Sequence, residues 1–184
     1  MWAPQLPVFA EHYACYAIDL PGYGESTDPP EPFSYAEEIA GFISSTIGEP
    51  AALIGSSFGA TRAFFTALAF PEMVGPLVLA NSAALRPETA SLALEALWTE
   101  ADAAWERGEH DRANQIEIEG WVDGQGRRDG QAPAHVRDYF LKANRAIWDR
   151  HDANPLPDET LPAVIEPERV RQPVLLIDSP YDIP

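Results

Sequence analysis

The chain is short of basic residues, of cysteine and of long apolar runs, and each shortage removes a class of function. Twelve Lys and Arg stand against 29 Asp and Glu, for a net charge of −17. A surface with that balance repels phosphate backbones and anionic headgroups, so neither nucleic acid nor a membrane surface is an expected partner. The single cysteine, Cys15, has no second thiol for an internal disulfide. It falls within the apolar run from Tyr13 to Leu20, where a buried core thiol is expected and no redox role. No apolar stretch approaches the ~20 residues of a membrane-spanning helix. The opening Met1-Trp2-Ala3-Pro4-Gln5 has neither the basic start nor the apolar run of a secretory signal, which makes the cytoplasm the expected location. Internal repeats and low-complexity tracts are also lacking.

What is present is the material of one globular domain: 184 residues, 46% of them hydrophobic, enough to bury a core. Trp2 to His12 reads as the tail of a helix. Tyr13 to Leu20 is a nearly unbroken apolar run that leads into Pro21-Gly22-Tyr23-Gly24, the pattern of a buried parallel strand followed by a turn-rich loop. Ser34 is placed to cap a helix over 35–47, with Glu37 completing a capping box and Gly48 closing the helix. A second strand is expected over 51–54, a helix over 59–70 that stops before Pro71, and a third strand over 77–80. Alternation of this kind predicts an α/β fold, a mainly parallel sheet with helices on both faces. From Pro87 to about His151 the periodicity becomes purely helical, roughly 88–107, 111–121 and 133–150. This stretch reads as an inserted helical lid, dividing the chain into a core portion 1–86, a lid 87–153 and a return to the core over 154–184. In that last portion Val174 to Ile177 forms a buried strand before a polar loop.

The chemistry concentrates in Gly55-Ser56-Ser57-Phe58-Gly59. Three fixed positions of a G-x-S-x-G pattern are weak evidence alone, but here they fall between an apolar strand and a helix. At such a junction the glycines allow strand and helix to approach while the serine takes a strained conformation that lifts its hydroxyl towards a base. Ser57 is therefore the candidate nucleophile, and the backbone N–H of Phe58 the candidate donor to an oxyanion. Asp182, 125 residues after Ser57 and just past the 174–177 strand, is the candidate acid; Asp178, nearer the strand, competes for the role. The four histidines His12, His110, His135 and His151 all precede Asp182, so none stands where the base of this chain order should follow the acid. His135 and His151 are the two with a conceivable reach into a cleft.

Together these motifs resemble the α/β-hydrolase family, in particular its lid-bearing esterases, enol-lactonases, carbon–carbon bond hydrolases and haloperoxidase-like enzymes. Asp19-Leu20-Pro21-Gly22-Tyr23-Gly24-Glu25-Ser26 looks like the D-x-x-G-x-G-x-S loop after the fourth strand, Gly55 to Gly59 like the nucleophile elbow, and Pro173 to Pro184 like the seventh strand and acid loop. Ser56 and Ala60 depart from the commonest residues at their places without touching the nucleophile. The resemblance implies a His-Gly type oxyanion loop and a third strand before Met1, and a final helix, strand and catalytic histidine after Pro184. With strand order 1-2-4-3-5-6-7-8, the implied third strand falls between 13–20 and 51–54. On this reading the chain is expected to be a fragment truncated at both ends, poorly stable and inactive by itself.

For a complete parent the resemblance implies a serine-type hydrolase of carboxylic esters or lactones acting through an acyl-enzyme, without metal or organic cofactor and with a small ester or lactone as its partner molecule. A carbon–carbon bond hydrolase, a cofactor-free haloperoxidase and a non-catalytic binding protein of the same fold are the alternatives. The lid aromatics Trp98, Trp105, Trp121, Tyr139, Phe140 and Trp148 are candidates for a pocket lining, although helical spacing favours the core for most of them. Asp123-Gly124-Gln125-Gly126-Arg127 is either a loop reaching substrate or a plain turn.

Overall fold

The computed structural model describes residues 1–82, 92–124, 132–163 and 165–178. Its centre is a parallel sheet of three strands, β1 (Ala51–Ser56), β2 (Val74–Ala80) and β3 (Val174–Ile177), in the order β1-β2-β3. Leu53 pairs with Leu77 and Gly55 with Leu79 across β1 and β2, while Leu77 to Ala80 pair with Val174 to Ile177. Because side chains alternate along a strand, Leu53, Leu77 and Leu79 share one face of the sheet and Ile54, Leu175 and Ile177 the other.

The first face is covered over β1 and β2 but not over β3, where Val174 and Leu176 are 43% and 56% exposed, so the strand expected to be buried at 174–177 is exposed because no described helix packs on it. Helix α3 (Phe58–Ala69) lies across β1 and β2, and α2 (Tyr35–Phe42) packs on α3. The core they enclose contains Ala36, Ala60, Ala63, Phe64, Phe65, Ala67, Val74, Leu77 and Leu79. Alanines at 60, 63 and 67 recur at the three- and four-residue spacing of one helix face, so α3 approaches the sheet closely while Phe64 fills the remaining space. Phe64 is 2% exposed, and truncating such a ring to alanine costs about 3–5 kcal/mol. On the other face Ile54, Leu175 and Ile177 remain 41–56% exposed.

The residues 13–20, expected to form a strand, do not. They carry no regular secondary structure, pair with no strand among the described residues, and leave Tyr13, Tyr16 and Ile18 exposed at 71%, 51% and 40%. The physical reason is that an apolar run becomes a strand only when a neighbour takes its backbone hydrogen bonds, and the described sheet ends at β1 on one side. Cys15 is accordingly half-buried, its thiol donating to Tyr13 O at 3.5 Å, and not a core residue. The expected first helix is reduced to one turn, α1 (Leu6–Phe9).

Ser34 does occupy the N-cap of α2, but its hydroxyl makes no cap bond, so the anticipated capping box is not formed. After Phe42 the helix widens into a π-helical turn, Ile43–Ile47, and Gly48 ends it at φ 79°, donating its N–H to Ile43 O at 2.8 Å.

The helical stretch comprises α4 (Leu92–Glu106), α5 (His110–Ile118) with a π-helical turn at Glu119–Asp123, and α6 (Ala134–Ala153). Ala101, Ala104 and Ala113 let α4 and α5 meet closely around Trp105 and Ile116, giving this stretch its own small core. Gly108, at φ 77°, turns the chain between them. Asp123 is buried against Arg137, which makes it a structural anion at the end of the turn and not a residue reaching outwards; residues 125–127 lie outside the described residues.

Candidate active site

β1 ends, and α3 begins, at Ser57. This residue holds φ 49° and ψ −114°, a left-handed conformation that costs a non-glycine residue roughly 1–3 kcal/mol. Surrounding bonds hold it there: Ser57 N–H donates to Ala80 O on β2 at 2.8 Å, while Ser57 O accepts Thr61 N–H at 3.1 Å and Thr61 Oγ1 at 3.3 Å. The bend is possible because Gly55 has no side chain. A Cβ there would stand 2.5 Å from Ala60 N, inside the backbone of α3. Gly59, by contrast, faces open space, so only one of the two motif glycines is required by packing. Ser57 emerges exposed, and its hydroxyl has no hydrogen-bond partner among the described residues.

Phe58 is the first residue of α3, and its N–H has no carbonyl four residues earlier in the helix to bond. That amide also finds no partner among the described residues, leaving a donor directed out of the helix N-terminus beside the serine. The Phe58 ring is held on several sides. The Arg62 guanidinium lies 3.8 Å from its centroid, and the rings of Tyr35 and Tyr23 stand at 5.3 and 5.6 Å. Arg62 in turn is ion-paired with Glu159. Burial raises the pKa of both tyrosines above the ordinary 10.0, more strongly for Tyr35, so both are neutral phenols here.

The loop after residues 13–20 is a self-bonded structure. Asp19 Oδ2 accepts Glu25 N–H at 3.1 Å, and Ser26 Oγ–H donates to Asp19 O at 2.6 Å. Gly24, at φ 52°, leaves no room for a Cβ against the Asp19 carboxylate, and Gly22, at φ 83°, packs on Leu156. The acid, glycines and serine of this motif are therefore explained by the loop's own folding. From outside, Arg150 clamps it through Asp28 Oδ1 at 2.6 Å, Ser26 O at 2.6 Å and Gly24 O at 3.2 Å.

Asp182 lies outside the described residues. Asp178 follows β3 directly and is exposed. Among the histidines, His110 stacks on Trp105 at 3.9 Å and its Nδ1 accepts from Arg145, His135 is exposed at the start of α6, and His12 is exposed beyond α1. His151 comes nearest the elbow. Its Nε2–H donates to Gly22 O at 3.1 Å, and its ring meets Tyr23 edge-on at 5.2 Å, so two ring contacts separate it from Phe58. No sequence signal marked Arg62, Glu159, Tyr23 or Tyr35 as neighbours of the elbow. Only Arg62 offers a hint, one helical turn after Phe58.

A cavity of about 450 Å³ opens between the helices, lined by Trp105, Glu117, Asn144, Ile147, Trp148, His151 and Asp152. Trp105 and Trp148 thus belong both to the helical core and to a cavity wall, whereas Trp98, Trp121 and Tyr139 are exposed. Among the described residues no helix is long and apolar enough to cross a membrane, and no cluster of three or more His, Cys, Asp or Glu is arranged to hold a metal ion.

A strained serine on a strand-to-helix turn of a parallel sheet is accompanied by a family match: residues 1–180 fit the model of the alpha/beta hydrolase family. The chain is an alpha/beta hydrolase family member. It is 34% identical over 85 residues to epoxide hydrolase 4 of Mus musculus, a stretch that is 44% of this chain and 24% of that protein. It is 31% identical over 80 residues to the pimeloyl-[acyl-carrier protein] methyl ester esterase of Xanthomonas oryzae, 44% of this chain and 31% of the relative. These matches span about a quarter to a third of the relatives' lengths. Among solved structures, a meta-cleavage product hydrolase from Pseudomonas fluorescens superimposes with a TM-score of 0.67 at 21% identity, covering 100% of this chain and 68% of the other. At that identity the likeness establishes this alpha/beta hydrolase's fold and nothing finer.

Proposed function

We propose that this alpha/beta hydrolase chain carries the nucleophile of a serine-type hydrolase of carboxylic esters or lactones. The observation that carries the reading is Ser57, held at φ 49° on the strand-to-helix turn with the Phe58 N–H, unpaired among the described residues, beside it. In the proposed reaction Ser57 Oγ attacks the substrate carbonyl carbon. The negative charge that develops on the carbonyl oxygen is accepted by Phe58 N–H, an interaction worth about 3 kcal/mol in comparable sites. A histidine base, oriented by Asp182, takes the serine proton and returns it to the departing alkoxide; water then attacks the acyl-enzyme and frees the acid. His151, with Nε2–H committed to Gly22 O, is not proposed as that base. No step calls for a metal or organic cofactor.

Several curated relatives are named epoxide hydrolases, yet the residue at the elbow argues for a carbonyl substrate here. A serine alkoxide opening an epoxide forms an alkyl ether, with no carbonyl for water to attack, so the enzyme would stall after one turnover. Attack on an ester or lactone instead leaves an acyl-enzyme that hydrolyses.

The test is reaction of the full-length protein with a fluorophosphonate, followed by peptide mass mapping. A single adduct on Ser57, lost in Ser57→Ala together with hydrolysis of a p-nitrophenyl ester, is expected. An unmodified Ser57 in folded protein, or esterase activity that survives Ser57→Ala, would overturn the assignment.

A further inference from the structure

Phe58 contributes to the proposed chemistry through its backbone, yet its side chain, although 38% exposed, is contacted by a guanidinium and two tyrosine rings. Arg62, one turn later on α3, places its guanidinium 3.8 Å from the Phe58 ring centroid and 5.4 Å from that of Tyr35. Its charge is matched by Glu159, and the two side chains are 17% and 10% exposed. Glu159 does not float: residues 33 and 159 form a parallel bridge, and Thr160 N–H donates to Phe33 O at 2.8 Å. Phe33 itself packs edge-on against Tyr35 at 4.9 Å. A guanidinium fixed by a carboxylate that is itself anchored through the backbone forms a rigid plate against one face of the ring, with Tyr35 closing another side.

This arrangement carries a cost with no counterpart in simple packing. Arg62 Nε is buried without a hydrogen-bond partner among the described residues, and an orphaned buried donor weakens a fold. A leucine or methionine at 62 together with an apolar residue at 159 would cover Phe58 without orphaning a donor or burying an ion pair, and such an exchange of both partners is often neutral or stabilising. What an apolar residue cannot supply is a planar, tethered cation held at a set distance over an aromatic face.

We infer that Arg62, tethered by Glu159, is a positioning residue: it fixes the Phe58 ring and through it the direction of the Phe58 N–H that meets the oxyanion. The inference rests on the serine-hydrolase reading above. The Ser57–Phe58 peptide plane is held at its carbonyl by Thr61 N–H at 3.1 Å and Thr61 Oγ1 at 3.3 Å, while its N–H end has no intrahelical partner, and a fixed Phe58 side chain limits the tilt that remains about that carbonyl. Because Glu159 follows α6 in the chain, the same contact ties the segment returning from the helices to the nucleophile's own turn.

The experiment compares ester hydrolysis by the full-length wild type, Arg62→Met, Glu159→Gln, Phe58→Leu and the Phe58→Leu/Arg62→Met double variant, each also assayed on the matching thionoester. Sulfur is a larger and poorer hydrogen-bond acceptor than oxygen, so the rate ratio of oxygen to sulfur substrate reports how well the oxyanion donor is aimed. For Arg62→Met, kcat should fall by about tenfold or more with KM unchanged, part of the 10²–10³ lost when such a donor is removed outright. The oxygen-to-sulfur ratio should fall with it. Glu159→Gln should shift both in the same direction by less. The double variant should lose no more than the worse single variant, because Arg62 acts through the ring that Phe58→Leu removes. Independent, multiplying losses, or an unchanged oxygen-to-sulfur ratio in Arg62→Met, would overturn the inference. If Arg62→Met does not fold, Glu159→Gln and Phe58→Leu decide by the same ratio. A wild type whose Ser57 resists the fluorophosphonate would overturn both readings; a wild type that is labelled, with variants of unaltered ratio, would overturn this one alone.

Discussion

Replacing the two glycines of the elbow separately should have opposite effects, although the sequence motif treats them alike. A Cβ at Gly55 would lie 2.5 Å from Ala60 N and 2.5 Å from Gly59 C, distances that real side chains do not adopt. Both opposing atoms belong to the backbone of α3, which cannot swing aside as the tip of a side chain would. Relief requires α3 to move off the sheet, and α3 carries Phe64, Phe65 and Ala67 of the main core. Overpacking of this kind costs about 1–3 kcal/mol and more when backbone must shift. With the cost at about 3 kcal/mol because backbone must shift, and at about 2–4 °C per kcal/mol for a chain of this size, Gly55→Ala should melt about 6–12 °C below wild type. Gly59→Ala meets nothing within 4 Å and lies inside α3, where alanine is the better helix former. It should leave the melting temperature unchanged or raise it, by up to about 1 kcal/mol of stability. Calorimetry of the three proteins at one concentration provides the comparison. A Gly55→Ala variant that melts within a degree or two of wild type, or a Gly59→Ala variant that loses more than Gly55→Ala, would refute the claim that one glycine alone sets the approach of strand and helix.

Ser57→Gly should stabilise the fold by about 1 kcal/mol, since glycine accepts φ 49° without the strain of a side chain, and should abolish fluorophosphonate labelling; urea titration beside the labelling assay reads both, and a destabilised variant would contradict the strain. Tyr23 and Tyr35 have pKa values raised above 10.0 chiefly by burial. A phenol whose folded-state pKa exceeds its unfolded value contributes stability that is whole below the unfolded pKa and is lost as pH rises through the folded one. Stability should thus decline from about pH 10 upwards, and Tyr35→Phe should flatten that decline; denaturant melts across alkaline pH, with phenolate absorbance followed in parallel, check it. Arg150→Ala removes the bonds that clamp residues 24–28. It should accelerate amide exchange in that loop while costing only about 1–2 kcal/mol overall, because Asp28 is 44% exposed and its pairing is screened. Uniform exchange throughout the chain would show that the clamp is not local.

Much of the site was legible in the residues alone because the elbow is a local structure. A β-type run, a glycine, a serine and a helical run are contiguous, and the geometry they produce at Ser57 is set by Gly55, Ala60 and Thr61 within five residues, with the bond to Ala80 O on β2 as the distant contribution. The strands over 51–54, 77–80 and 174–177 were readable for the same reason, since continuous apolar runs are properties of short segments, although β1 runs on to Ser56 and β2 starts earlier, at Val74. The D-x-x-G-x-G-x-S loop was legible as a pattern, but its purpose was not, since Asp19 proves to bond Glu25 N–H and Ser26 Oγ within the loop itself.

Tertiary structure decided the rest, because it depends on who the neighbours are. An apolar run at 13–20 has every sequence attribute of a strand, yet strand formation is a property of a pair, and without a partner among the described residues it stays irregular and exposed. Ser34 had the composition of a capping box without forming its bond. The cage around Phe58 joins residues 23, 35, 62 and 159, which are separated by up to 136 positions in the sequence, and no local pattern couples a glutamate after α6 to an arginine on α3. What the sequence determined by itself was the bend that presents Ser57, a matter of backbone sterics over a few residues; what surrounds that bend was settled only when distant segments competed for the same space and the same unpaired charges.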